Sequence, residues 1–166
     1  MSKDSVTMEL DIVRTWDSRR APPPAVNVTT LAAAQAVHSD WLPRLCDLDN
    51  ATRIGRPGAP RTPVEFAERL VELRLDPAWC FIAVRDDQWI GYTVLDPSPD
   101  DATTVRQSWT GVRPEVRRSG VATYLKEVAY RAAAAAGYRR IRTVLARDNQ
   151  PAIELNSRLG FRLGAA

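Results

Sequence analysis

The segment from Arg117 to Ala122 has the residue types of a phosphate-binding turn. Its two arginines carry permanent positive charge, while Gly120 and Ala122 leave room for a ligand to approach the backbone. Because a periodic apolar run follows, the segment is predicted to open a helix, whose first N–H groups have no intrahelical partner and lie at the positive end of the helix dipole. Thr123 adds a hydroxyl in the first turn. The pattern predicts an anion site, and the alternative is a helix start with solvated arginines.

Positive charge is concentrated around this turn. The chain has a net charge of +3, yet the stretch from Arg113 to Arg147 holds nine Arg or Lys against two Glu, a local charge of +7, and the remainder carries −4. Such a patch attracts a nucleic acid, a membrane surface or a small polyanion, and charge alone does not choose among them.

Length and composition describe an ordinary globular chain. Its 166 residues fall in the range of one domain, with 45% hydrophobic and 26% charged residues. No apolar run approaches the roughly 20 residues of a membrane helix, and the first residues lack an apolar signal core. A cytoplasmic location and no membrane partner are therefore expected. No metal is expected either, because His38 is the single histidine and Cys46 and Cys80 lack metal-ligand spacing.

Strands are predicted on both sides of the turn. Residues 81–84 and 90–95 are rich in β-forming residues and enclose a polar turn, which predicts an antiparallel hairpin. Residues 105–112 form a third predicted strand, which Pro114 stops because proline cannot donate to a sheet ladder. A further strand is predicted at residues 141–145. The order of elements is mixed α and β without an internal repeat.

Helices are predicted from capping signals and apolar spacing. Thr62, Pro63 and Glu65 form a capping box at the start of one helix, and Pro151 opens the last helix. An earlier helix is indicated by the face Trp41, Leu45 and Leu48. The buried stripe of the Thr62-capped helix is predicted to be Phe66, Leu70 and Leu73. The helix that begins near Gly120 is predicted to bury Val121, Leu125, Val128, Ala132 and Ala136.

The N-terminal segment is predicted to be a separate element. Residues 9–16 alternate polar and apolar side chains as a strand does, and the three prolines at 22–24 form an extended linker. The chain is therefore divided into residues 1–24, an N-terminal strand and Pro-rich linker, and residues 25–166, the main domain.

Two motifs together resemble the GNAT (general-control N-acetyltransferase related) superfamily of N-acetyltransferases. The stretch from Thr110 to Ala122 is similar to that family's strand and pyrophosphate loop, Arg/Gln-x-x-Gly-x-Gly/Ala, and Asn149 with Leu159-Gly160-Phe161 resembles its closing motif. The resemblance implies an α/β (α+β) fold with a mixed, mostly antiparallel central sheet flanked by helices. To that fold the chain adds an N-terminal strand, and its C-terminus is shortened.

The resemblance implies acetyl-CoA as the acyl donor, and a primary amine of a small molecule or peptide as the acceptor. The basic patch then has a polyanionic partner in the coenzyme, which makes nucleic acid the weaker interpretation. The residues that the resemblance assigns to the coenzyme are Val112, Arg117, Arg118, Ser119, Gly120, Val121, Ala122, Thr123 and Asn149. Residues 41–75 and 96–108 are the segments expected to shape the acceptor pocket; within the first, the loop 51–63 carries arginines that suit an acidic acceptor, and a solvated loop is the alternative.

The catalytic residues are less clear than the coenzyme residues. Many family members have a tyrosine after the leucine of Ala-x-x-Leu that serves the leaving thiolate, and this chain has Asn156 there. An amide donates a hydrogen bond to sulfur but is no proton source near neutral pH, so Asn156 is a candidate for that hydrogen bond only. Water, Tyr92 or Tyr124 are the alternatives for the proton. Glu115 is the candidate base, and a solvated turn residue is the alternative.

Several alternatives stay open at the level of sequence. The rivals of an active enzyme are a catalytically weak or inactive CoA-binding regulatory module and a basic nucleic-acid-binding domain. The chain ends five residues after Phe161, where the family continues into a further strand. The strand at residues 9–16 is therefore expected to close the sheet, within one molecule or across a homodimer. Descent from a tandem two-domain acyltransferase is a further expectation.

Overall fold

The computed structural model describes residues 4–12, 22–53 and 58–164. Within them lie seven strands and five α-helices. The strands are β1 (Ser5–Asp11), β2 (Asn27–Thr30), β3 (Cys80–Arg85), β4 (Gln88–Pro97), β5 (Thr104–Val112), β6 (Arg140–Ala146) and β7 (Arg162–Leu163). The helices are α1 (Leu31–Val37), α2 (Trp41–Thr52), α3 (Pro63–Glu72), α4 (Val121–Ala135) and α5 (Gln150–Arg158), with short 3₁₀ turns at Pro77–Trp79 and Pro114–Val116.

The strands form one sheet in the order β2-β3-β4-β5-β6-β1-β7. Neighbouring strands are antiparallel except β5 and β6, which are parallel. The predicted hairpin is present as β3 and β4, and its two turn residues, Asp86 and Asp87, both have positive φ, which suits the right-handed twist of the strands. The predicted mixed, mostly antiparallel sheet flanked by helices is confirmed.

Helices cover both faces of the sheet and create two cores. On one face α4 packs over β3, β4 and β5, and the core there also contains Leu10 of β1, Leu125 of α4 and Ile141 of β6. On the other face α1, α2 and α3 cover β3 and β4, around Leu45 and Ile82. The capping box of α3 is present in full: Glu65 N–H donates to Thr62 Oγ1, and Thr62 N–H donates to Glu65 Oε2.

The predicted buried faces of two helices are partly wrong. In α3 only Phe66 is buried, and Leu73 is 52% exposed because the helix ends one residue before it. In α4 the predicted Ala136 is exposed, whereas Lys126 and Glu127 are buried. The reason is that α4 contacts the sheet and, through Lys126, also bonds to Asn156 of α5, so its buried surface is wider than one apolar stripe.

The N-terminal strand lies inside the sheet. It is found at Ser5–Asp11 instead of 9–16, and residues 13–16 lie outside the described residues. It pairs with β6 over its full length and places Met8, Leu10 and Ile12 in the core beneath α4. The two-residue strand β7 follows Phe161 and pairs with the other edge of β1. The division of the chain at residue 24 stays a prediction.

Candidate active site

The parallel strands β5 and β6 diverge after a short pairing. Only residues 104–106 of β5 pair with residues 140–142 of β6, yet β5 continues to Val112 and β6 to Ala146. Helix α4 follows the carboxyl end of β5, and α5 follows that of β6. Ligands of α/β sheets bind in the crevice outside the carboxyl ends of parallel strands. The divergence therefore marks this edge of the sheet as the place to look for a ligand site.

A β-bulge in β5 lies beside the divergence. Val94 of β4 pairs with Trp109 and Leu95 pairs with Gln107, so Ser108 is the extra residue. Before the bulge the Gln107 side chain accepts a hydrogen bond from Tyr130 of α4, and after it Trp109 packs against the core beneath α2. The Gln107 carbonyl accepts from Thr143 Oγ1 of β6 at 3.1 Å, which links the two strands just where their pairing ends.

The predicted phosphate-binding turn is exposed and opens α4. Arg118 and Gly120 both have positive φ, +63° and +86°, and residues 117–120 are exposed. The first helical hydrogen bond runs from Tyr124 N–H to the Gly120 carbonyl at 2.9 Å. The N–H groups of residues 121–123 therefore precede it and face out of the helix start. Ser119 Oγ donates to the Val116 carbonyl at 2.6 Å and holds the turn closed.

The structure brings most of the predicted coenzyme residues to one edge of the sheet. Val112 ends β5, residues 117–123 form the turn and first helical turn of α4, and Asn149 is the N-cap of α5. The Asn149 side chain makes no capping hydrogen bond to its own helix. Two helix starts therefore face the same edge, and their dipoles favour negative charge there.

Asn156 lies inside the protein and has a charged neighbour. It is 0% exposed, and its Oδ1 accepts a hydrogen bond from Lys126 Nζ of α4 at 2.5 Å. Its Nδ2 has no hydrogen-bond partner among the described residues. Lys126 is 3% exposed, and burial lowers its pKa to about 7. Sequence reasoning did not single out Lys126; the signal was that only two of the 23 basic residues, Lys3 and Lys126, are lysines.

Other polar groups are buried close to Lys126 on α4. Glu127 is 1% exposed, and Tyr130 lies one turn further along, with its ring packed against Phe161 at a centroid distance of 5.9 Å. Burial raises the pKa of Tyr130, so this hydroxyl keeps its proton and donates to Gln107. Polar side chains are therefore buried beside the apolar core on this face of the sheet.

Glu115 lies on the α2 side of the protein, apart from Asn156. It is exposed and lines an open pocket of about 420 Å³ together with Arg44, Asp47 and Arg113. Arg113 donates through Nε to the Trp89 carbonyl at 2.8 Å and forms an ion pair with Asp47. The two predicted catalytic residues are thus placed on different parts of the structure.

A second buried cluster on the α2 side was not expected from the sequence. Asp49 of α2 is 4% exposed and accepts hydrogen bonds from Tyr92 Oη at 2.6 Å and from Arg61 at 2.8 Å. Burial, and then the charge of Asp49, raise the pKa of Tyr92 well above its ordinary value. Tyr92 is therefore poorly suited to release a proton near neutral pH, and it acts as an anchor for Asp49.

The described part of the chain shows no group of three or more His, Cys, Asp or Glu side chains arranged to hold a metal ion. None of the helices within it has the length and apolar character needed to cross a membrane.

Solved structures share the fold at low sequence identity. A GCN5-related N-acetyltransferase from Sphaerobacter thermophilus is 19% identical with a TM-score of 0.71, over 96% of this chain and 48% of that one. A tandem GNAT protein from the clavulanic acid biosynthesis pathway is 20% identical with a TM-score of 0.71, over 96% of this chain and 50% of that one. The diaminobutyrate acetyltransferase from Paenibacillus lautus, solved with L-2,4-diaminobutyric acid and coenzyme A, is 18% identical with a TM-score of 0.60, over 81% and 74% of the two chains.

The chain spans about half the length of the first two of these proteins. No curated protein matches it. The model of a family described as the acetyltransferase (GNAT) family matches residues 42–161, from the second residue of α2 to Phe161, which include the diverging strands and the turn before α4. The chain therefore belongs to the acetyltransferase (GNAT) family.

Proposed function

We propose that the chain binds acetyl-CoA with the pyrophosphate at the start of α4 and transfers the acetyl group to a primary amine of a small molecule or peptide. The observation that carries the proposal is the exposed turn with positive φ at Arg118 and Gly120, which leaves three helical N–H groups facing outward beside the diverging strands. A pyrophosphate supplies acceptors for such N–H groups and negative charge for the helix dipole.

The charge distribution supports the same ligand. Arg117 and Arg118 are exposed at the helix start and lie within the stretch that carries +7. Acetyl-CoA-dependent acetylation is the general kind of reaction in the family. In the proposed complex the arginines and N–H groups hold the phosphates, Val112 and the free edge of β5 accompany the pantetheine arm, and Asn149 contacts the coenzyme at the start of α5.

The acceptor class rests on the reaction type and on one structural neighbour. The Paenibacillus lautus enzyme acts on L-2,4-diaminobutyric acid, a small amine, and shares the fold with this chain. Acyl transfer requires the amine and thioester to be held together, and such positioning supplies a large part of the rate acceleration. Glu115 is retained as the proposed base, acting on the amine through water from the exposed pocket on the α2 side.

Calorimetric titration with acetyl-CoA tests the binding step. Saturable heat is expected for the native chain. In R117A/R118A the affinity is expected to fall about 100-fold, because each arginine contributes about 1.5 kcal/mol through a charge-assisted hydrogen bond to phosphate. R158A is the matched control, since Arg158 is exposed and pairs with Glu154 on α5; its affinity should be unchanged. The absence of saturable heat for the native chain contradicts the proposal.

Release of free thiol across a panel of primary amines tests the transfer step. A second candidate function, a CoA-binding regulatory module without turnover, is favoured by Asn156 at the position where family members carry a tyrosine. Tight binding of acetyl-CoA without thiol release for any amine selects the module. Amine-dependent thiol release selects the enzyme.

A further inference from the structure

Lys126 is an unusual residue in this chain. Of 23 basic residues, 21 are arginines, and the only other lysine, Lys3, lies outside the described residues. Arginine keeps its proton in proteins, whereas a buried lysine gives its proton up readily. The chain thus uses arginine at nearly every basic position and has lysine at a position that is 3% exposed.

The partner of Lys126 leaves one hydrogen bond unmade. Asn156 accepts from Lys126 Nζ through Oδ1 at 2.5 Å, and its Nδ2, which is also buried, has no acceptor among the described residues. A buried polar group without a partner is rare in native structures, because its desolvation is then uncompensated. The Nδ2 group therefore points to an acceptor that comes from a bound molecule.

The pair also lies where the arm of a bound coenzyme would lead. Lys126 is five residues into α4 and Asn156 six residues into α5, or about 8 Å along each axis from the helix starts. The two helices follow β5 and β6, whose divergence opens the sheet between them. The Lys126–Asn156 pair therefore bridges the two helices inward of the proposed pyrophosphate site.

We propose that Lys126, held by Asn156, donates the proton to the sulfur of coenzyme A as the thioester breaks, and that Asn156 Nδ2 donates a hydrogen bond to the same sulfur. The inference rests on the proposed function and names the proton source of that reaction.

The step balances in atoms and charge. The acceptor nitrogen forms a C–N bond to the acyl carbon, the C–S bond breaks, and its electron pair passes to sulfur. A proton moves from Lys126 Nζ to sulfur, which leaves a thiol and a neutral amine. The excess proton on the acylated nitrogen passes to water, and Lys126 regains a proton from solvent.

The acidity of Lys126 suits this role. Burial lowers its pKa to about 7, below the value of about 8.5 for an ordinary cysteine thiol, so proton transfer from the ammonium to a thiolate is downhill. The titratable neighbours on α4 are Glu127 and Tyr130, both buried. On α5 the charged Glu154 and Arg158 are exposed and pair with each other. From the strands, Gln107 accepts from Tyr130 and Thr143 donates to the Gln107 carbonyl, and both side chains are neutral.

Nuclear magnetic resonance of protein labelled with [ε-¹³C]lysine tests the contact without an acceptor amine. Two lysine signals are expected, and loss of one in K3M and of the other in K126M assigns them. On saturation with coenzyme A, the pKa of Lys126 should differ from its value in the complex with desulfo-coenzyme A, because only coenzyme A places a titratable thiol beside Nζ. An equal Lys126 pKa in the two complexes overturns the inference while leaving coenzyme binding intact.

Kinetics give a second test with the amine that shows the highest thiol release. K126M is expected to lower kcat about 100-fold with the Kd for acetyl-CoA within about twofold, since a general acid contributes about 10² to 10⁴. The native kcat should fall as pH rises through the Lys126 pKa, because the acid is then deprotonated. The pH profile of K126M should lack this fall. K126M/N156Y, which supplies a phenol instead, should recover part of kcat.

The outcomes distinguish failure of the proton-donor role of Lys126 from failure of the proposed function. An unchanged kcat in K126M overturns the proton-donor role. Failure of the native chain to bind acetyl-CoA overturns the proposed function and this inference with it. If K126M does not fold, N156L serves instead: it removes the Nδ2 donor, and a Lys126 pKa in its coenzyme A complex equal to that in the native complex argues against positioning by Asn156.

Discussion

Among the described residues, a buried polar cluster lies on each side of the sheet: Asp49 with its partners beneath α2, and Lys126 with Asn156 between α4 and α5. Both oxygens of the Asp49 carboxylate accept hydrogen bonds, from Tyr92 and from Arg61. The amide of Asn156 is engaged on its oxygen and lacks a partner on its nitrogen within the described residues. A cluster whose bonds are complete stabilises the fold, whereas a cluster with an unused donor is suited to a ligand.

The Asp49 cluster has a structural task that can be named. Arg61 belongs to the loop before α3, and Asn50 makes two further hydrogen bonds to the Arg61 backbone, both at 2.8 Å. Asp49 and Asn50 together fasten this loop to α2, and Tyr92 fastens α2 to the middle of β4. The loop is one of the segments expected to shape the acceptor pocket, so its position depends on this cluster.

Removal of residues 1–20 is expected to have the largest effect on stability, because it removes side chains from the core on the α4 side of the sheet. Met8, Leu10 and Ile12 are each 2% exposed, and loss of one such side chain costs about 2–5 kcal/mol. Their combined loss exceeds the marginal stability of a domain of this size. The truncated chain should lack a cooperative thermal transition, as followed by circular dichroism. An unchanged melting temperature and oligomeric state would show that the N-terminal strand is a separable element.

D49A is expected to lower the free energy of unfolding by about 3 kcal/mol, because Tyr92 and Arg61 lose their shared acceptor in a buried setting. Urea denaturation measures this loss. D47A is the matched control, since Asp47 is exposed and its ion pair with Arg113 lies at the surface. Equal stability of D49A and D47A would mean that the Asp49 cluster does not hold the α2 side together.

Unlike D49A, K126M is expected to raise the free energy of unfolding near neutral pH. Burial lowers the pKa of Lys126 from 10.5 to about 7, so above pH 7 the native lysine is neutral while the unfolded chain keeps its proton. Unfolding then takes up a proton, and the free energy of unfolding rises with pH by up to about 1.4 kcal/mol per unit. K126M should lack this rise and be more stable than the native chain at pH 7.

Urea denaturation of the two proteins from pH 6 to 10 measures that difference. The stability advantage of K126M should shrink as pH rises above 7. A constant difference across this range would show that Lys126 titrates as an exposed lysine does, and the contrast with the completed Asp49 cluster would disappear.

G120A is expected to have the smallest effect on stability, about 1 kcal/mol, together with a loss of coenzyme affinity. Gly120 has φ of +86°, and a Cβ would meet only Pro23 Cγ at 3.9 Å, so the cost is backbone strain and not collision. G137A is the matched control at the other end of α4, with φ of +93° and open space around it. The two variants should lose similar stability, and only G120A should bind acetyl-CoA more weakly by calorimetry.

The local elements were largely readable from the sequence because their causes are local. The capping box at Thr62, the turn of the β3–β4 hairpin and the strand that stops before Pro114 each depend on a few adjacent residues. The turn before α4, which is predicted to bind phosphate, was readable as a helix start for the same reason, since glycine and the arginines stand next to the helix that they open. Helix α1 was missed, because its seven residues are too few to show a helical period.

Tertiary packing decided what the sequence pattern could not. The N-terminal strand takes its place between β6 and β7 through pairings with residues more than a hundred positions away, and no local pattern encodes such a partner. Lys126 is buried because the fold brings Asn156 of α5 against it, and its lowered pKa follows from that burial.

The sequence by itself determined the family, the turn before α4 and the concentration of positive charge around it, because these depend on residue type and spacing. Only the tertiary structure decided that Asn156 faces Lys126 and that Tyr92 is held by Asp49. Each of these contacts joins residues at least 30 positions apart, and the chemical character of a buried group is set by what surrounds it.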